Sequence, residues 1–138
     1  MSEQLGTYLD QWPVAQAETK RAFVALRQTV QGLPGVAESF VTRPGVSHSL
    51  RYDLDPRPAG RARPIFALID VVEDGGERFL SVCFYAEEIE DPRELGNAIP
   101  QGLFQETGYC FDVDGYEAEL MDYLGGRLVL AHRNAAGA

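Results

Sequence analysis

The sequence is poor in the residues from which site chemistry is most often read. It has two cysteines, two histidines, one tryptophan and a single lysine, Lys20, among its 138 residues. Cys83 and Cys110 form no CxxC motif, and neither has a histidine at ligand spacing, so no zinc or other metal site is expected. Asp112-Val113-Asp114-Gly115 starts like a calcium loop, but its glycine comes too early and no glutamate closes it. No P-loop, GxGxxG or Gly-x-Ser-x-Gly motif is present, and no cofactor is expected. No apolar run reaches the ~18 residues of a membrane span. The start, MSEQLGTYLDQW, has no basic segment followed by an apolar block. The expectation is therefore no membrane, no secretory signal and a cytoplasmic location.

Positive charge is also scarce. The net charge is −9, which argues against a generally basic nucleic-acid-binding surface. Its distribution is uneven. Residues 1–69 hold eight Lys/Arg and six Asp/Glu, giving +2, while residues 70–138 hold four and fifteen, giving −11. The bland explanation is that the halves fold together and pair their charges across one surface.

What is present suits a single folded domain over 1–138. Val, Leu, Ile and Phe make up 36 residues, about a quarter, so disorder is not expected. Leu5, Tyr8, Leu9 and Trp12 repeat at helical spacing and suggest an N-terminal helical extension within 1–12. A second helix is expected over 14–31, with Phe23, Leu26 and Val30 as its apolar stripe and a stop at Gly32 and Pro34-Gly35. Strands are expected at 37–43, 46–54, 64–72, 78–86 and 109–113. The second alternates cleanly, with Val46, His48, Leu50, Tyr52 and Leu54 on one face and Ser47, Ser49, Arg51 and Asp53 on the other. Residues 55–63 read as a mobile loop, because Pro56, Pro58 and Gly60 break pairing. Asp-Gly-Gly at 74–76 marks a hairpin.

Asp91-Pro92-Arg93-Glu94 reads as a capping box opening a short helix over 92–98, followed by a loop at 100–108. Asp114 and Glu117 form a second capping box ahead of a final helix. Gly125-Gly126 either marks a close packing contact or breaks that helix, and 133–138 should fray. The fold class is α+β, with a single antiparallel sheet of four to five strands covered by N-terminal and C-terminal helices. Cys83 and Cys110 are expected as buried free thiols. A disulfide requires that their strands be neighbours and the compartment oxidising.

One polar cluster stands out. Asp70 lies inside an apolar strand, which is costly unless it is partnered by Arg43 or Arg51. With aligned registers, Arg43, Ser49, Arg51, Asp70, Ser81 and Tyr85 gather on one sheet face. The simplest reading is a structural Arg–Asp pair beneath a covering helix. The alternative is a pocket for a small anionic ligand, since Arg grips carboxylate or phosphate bidentately. Catalysis would need a base beside a nucleophile, and His48 belongs to the opposite face.

LPGVAE at 33–38, between a helix and an antiparallel strand run, resembles the opening of the MmcQ/YjbR-like family. That resemblance implies a small bacterial α+β protein, in a family often labelled DNA-binding. The lysine-bearing strand motif of that family has no counterpart here, and no functional residue is carried over. The leading expectation is a domain that binds a small anionic ligand or a partner, such as a second copy of the chain as a homodimer, without catalysis and without nucleic acid. The alternatives are a small enzyme on the Arg51/Asp70 face and an acidic protein-interaction module.

Overall fold

The computed structural model describes residues 2–137. Helices α1 (Glu3–Asp10) and α2 (Ala17–Gln31) precede strands β1 (Val36–Arg43), β2 (Ser47–Leu54), β3 (Ala67–Asp74) and β4 (Glu77–Tyr85). Strands β5 (Asn97–Leu103) and β6 (Glu106–Val113) and helix α3 (Ala118–Ala136) follow. All strands form one antiparallel sheet in the order β1-β2-β3-β4-β6-β5. The class is α+β as expected, but the sheet has six strands rather than four to five.

The additional strand is β5, and its absence from the sequence reading has a local cause. The Asp91 carboxylate does accept backbone N–H groups, from Leu95 and Gly96, but it closes a turn and starts no helix. Glu94 in that turn has φ 53°, which a helix cannot contain. The chain leaves the turn as an exposed edge strand holding Pro100, so it lacks the alternation of a half-buried strand. Residues 100–108 are correspondingly a β5–β6 hairpin and not a loop.

All three helices pack on one face of the sheet. Leu50, Tyr52, Ile69, Val71, Leu80, Val82, Phe84 and Phe111 of that face meet Leu5 and Tyr8 of α1, Phe23, Leu26 and Val30 of α2, and Leu124, Leu128 and Ala131 of α3. The stripe read for α2 is thus the buried one. Truncating Leu26, which is fully buried, to alanine would cost about 2–5 kcal/mol. Helix α3 runs unbroken through Gly125-Gly126. A Cβ on Gly125 would lie 3.6 Å from Thr29 of α2, so the helices approach closely there. The Asp114–Glu117 capping box does not form, since Glu117 is itself the N-cap and makes no side-chain cap bond. The expected fraying from 133 is also corrected: the helix continues to Ala136, Ala135 is buried, and Gly137 caps it at φ 80°.

The 55–66 segment is pinned by its arginines. Arg57 pairs with Asp53, and Arg61 makes a bidentate pair with Glu88 at 2.6 and 2.9 Å, both side chains being about nine-tenths buried. Arg63 grips Glu106 at the start of β6. Cys83 and Cys110 are not free thiols. With β6 beside β4 they stand directly opposite one another, Cα atoms 4.2 Å apart, and are disulfide-bonded.

Candidate functional site

The sheet face turned away from the helices carries the polar cluster. Strand register sets its rows. Val41, Ser49, Asp70, Ser81 and Asp112 stand successively opposite one another on β1, β2, β3, β4 and β6. The next row holds Ser39, Arg51, Leu68, Cys83 and Cys110. Asp70 is therefore flanked by two serines and lies diagonal to Arg51.

Among the described residues no helix covers this face. The tip of the β5–β6 hairpin arches over it instead, although β5 is the far edge of the sheet. Gly102, Leu103 and Phe104 close a cavity of about 320 Å³ whose remaining wall is Val41, Arg43, Ser47, Ser49, Arg51, Leu68 and Asp70. The hairpin is drawn back across the face by the Arg63–Glu106 pair, in which Glu106 pushes the Arg63 pKa up and Arg63 holds the Glu106 carboxyl below its usual range. Under the tip, Leu103 packs with Ile65, Leu68, Cys83 and Tyr85 in a small apolar cluster separate from the main core.

Four of the six sequence-derived site residues, Arg43, Ser49, Arg51 and Asp70, line this cavity. Ser81 shares the face but lies outside the lining, its Oγ 3.3 Å from Cys83 Sγ. Tyr85 belongs to the apolar cluster, where its hydroxyl is buried without a hydrogen-bond partner. Burial pushes that phenol up to about 12, with the nearby Glu106 charge adding to the effect. The expected Arg–Asp ion pair is not formed. Neither Arg43 nor Arg51 has a carboxylate oxygen within 4.0 Å among the described residues, whereas Arg21, Arg27, Arg57, Arg61, Arg63 and Arg78 all do. Arg93 and Arg127 lie over the Tyr123 ring instead and are remote from the cavity.

Burial raises the Asp70 pKa, while the Ser49 hydroxyl and the Arg51 and Arg43 charges pull the other way without cancelling it. Arg51 itself reaches Ser49 Oγ at 3.5 Å, and its guanidinium carbon lies 5.7 Å from the Phe104 ring centre. The cavity thus offers cationic forks, hydroxyls, one half-buried carboxylate and an aromatic lip. Phe104 escaped the sequence reading for a definable reason. Phe104 and Gln105 both have positive φ, 46° and 67°, as a two-residue hairpin turn of the primed type demands. Such turns are announced by Asn-Gly or Asp-Gly, and Phe-Gln gives no signal.

His48 is on the helix-covered face, as its strand phase requires. Its Nε2 is 2.8 Å from Glu73 Oε1, and its ring lies 4.3 Å from that of Tyr8. The Tyr8 hydroxyl donates to the same carboxylate, and burial together with Glu73 raises the Tyr8 pKa against the opposing charge of Arg78. A larger cleft of about 660 Å³ lies between residues 14–19 and the strand ends, but Asp74, Glu77, Asp112 and Asp114 dominate it. Its one arginine, Arg78, is stacked on Tyr8 and Trp12 near Glu73.

Fold and site together define an antiparallel α+β domain with a small, arginine-bearing cavity on its helix-free face. Comparison with family models, with curated proteins and with solved structures returned no match to this chain. No helix among the described residues is long and apolar enough to cross a membrane.

Proposed function

We propose that the protein binds a small anionic ligand, without transforming it, in the cavity between Arg43, Arg51 and Asp70. One observation carries this reading: among the described residues the two guanidiniums on the cavity wall have no carboxylate in pairing range, whereas most other arginines do. Guanidinium forks of this kind fit a carboxylate or phosphate. The cavity volume, about 320 Å³, matches a small metabolite rather than a polymer. The Cys83–Cys110 bond persists where thiols are not kept reduced, which weighs against the cytoplasmic location expected from the sequence.

Thermal unfolding in the presence of inorganic phosphate, citrate and a panel of carboxylates tests the reading. A true ligand raises Tm with concentration in proportion to ln(1 + [L]/Kd). Arg51→Ala should abolish the rise while the unliganded variant stays folded. A panel without any shift, or a shift that survives in Arg51→Ala, contradicts it.

A further inference from the structure

We infer that the cavity is built for a zwitterion: a small α-amino acid whose carboxylate meets Arg43 and Arg51 and whose ammonium meets Asp70. This deepens the anion-binding reading and rests on it. Unlike charges stand apart on this face. Arg51 and Asp70 are diagonal neighbours on one sheet face, yet neither Arg51 nor Arg43 closes on the carboxylate. A ligand carrying both signs of charge fills that gap and satisfies both sides.

A plain anion satisfies the arginines alone and binds more weakly. It would place a second negative charge beside a carboxylate that is already half-buried and whose ionised form burial disfavours. Ser49 and the Arg51 and Arg43 charges offset the burial of Asp70 only in part, and a donor or cation arriving in the cavity offsets more of it. In an α-amino acid the two charged groups are one carbon apart, a span suited to adjacent strands. Ser49, opposite Asp70, can donate to the carboxylate or accept from the ammonium. Val41, Leu68, Leu103 and the Phe104 ring give the remaining wall an apolar stretch for a short side chain.

The experiment is calorimetric titration of the full chain at pH 7 with glycine, L-serine and L-leucine, each beside its counterpart lacking the ammonium: acetate, 3-hydroxypropionate and 4-methylvalerate. At least one amino acid should bind about tenfold or more tightly than its counterpart, as expected for one added charge-assisted contact. Asp70→Asn, which keeps the shape, should erase that preference and improve binding of the plain acid. Arg51→Ala should weaken both partners of the pair. Thermal unfolding of each unliganded variant checks that it is folded. Equal binding of acid and amino acid, both lost in Arg51→Ala, overturns the zwitterion and leaves the anion reading in place. A preference that survives Asp70→Asn overturns the zwitterion as well. No binding of any of the six compounds, with none of inorganic phosphate either, overturns both.

Discussion

Arg51 and Asp70 occupy neighbouring strands on the same face of the sheet, yet no nitrogen of Arg51 lies within 4.0 Å of an Asp70 carboxylate oxygen. Arg61 shows the opposite arrangement, closed in two hydrogen bonds on Glu88 with both side chains buried. The contrast separates arginines that hold the fold from arginines left available to a ligand.

Stability measurements should reproduce that contrast. Arg61→Ala removes the bidentate partner of the buried Glu88 and leaves it only Arg63, 3.4 Å away, so it should cost up to about 3–5 kcal/mol. Arg51→Ala breaks no ion pair and loses only the Ser49 and Phe104 contacts and a charge near Asp70, so the unliganded variant should unfold within about 1 kcal/mol of the parent. Urea unfolding of the two variants side by side measures both. A large loss for Arg51→Ala would assign that residue a structural role.

Asp70 should leave its mark on the pH dependence of stability. Burial raises its pKa in the folded chain above the unfolded value, so the folded state holds this proton more tightly. Its contribution is complete below the unfolded pKa, roughly 4, and is lost as pH rises through the folded pKa. Asp70→Asn should therefore be more stable than the parent at pH 7, with the advantage vanishing below about pH 4. Tm measured from pH 3 to pH 8 for both proteins gives the answer.

Asp91 has the reverse sign. Burial pushes its carboxyl up, but hydrogen bonds from the Tyr109 and Tyr123 hydroxyls and from the Gly96 and Leu95 N–H groups prevail and bring it to about 2. This stability is present above the unfolded pKa and is lost as pH falls through about 2. Asp91→Ala, screened by solvent, should cost on the order of 1 kcal/mol at pH 7. The difference from the parent should shrink as the solution is taken from pH 5 toward pH 2, by the same unfolding assay.

The Cys83–Cys110 bond closes a 27-residue separation and fastens β6, whose hairpin carries the lip of the cavity, to β4. Reduction, or the double replacement Cys83→Ser with Cys110→Ser, should lower stability by about 2–4 kcal/mol. Unfolding with and without a dithiol measures this. Equal stability in both conditions would mean that the bond does not constrain the chain.

The sequence exposed strand phase better than strand number. Alternation through 46–54 placed His48, Leu50 and Tyr52 toward the core and Ser49 and Arg51 away from it, because a half-buried strand has to alternate, but Val46, assigned to the core face, stands exposed in the turn before β2. Asp70 was visible as a carboxylate in an apolar run. What lay hidden depended on long-range partners. The ion pairs that pin 55–66 join residues as far apart as Arg63 and Glu106, and no local pattern marks them. Ser81 and Tyr85 were placed on the correct face, but face alone does not say which residues the hairpin tip will cover. The capping signal at Asp91 was physically real and was spent on a turn, where two tyrosine hydroxyls stabilise the same carboxylate.

The most direct test of the account observes the arginines themselves. Side-chain Nε–Hε resonances of the eleven arginines can be followed by NMR while L-leucine or inorganic phosphate is added to the full chain. Arg43 and Arg51 should shift in a saturable way while Arg61 and Arg63, held by Glu88 and Glu106, stay in place. Saturable shifts confined to arginines outside the cavity, or none at all with either compound, would contradict it.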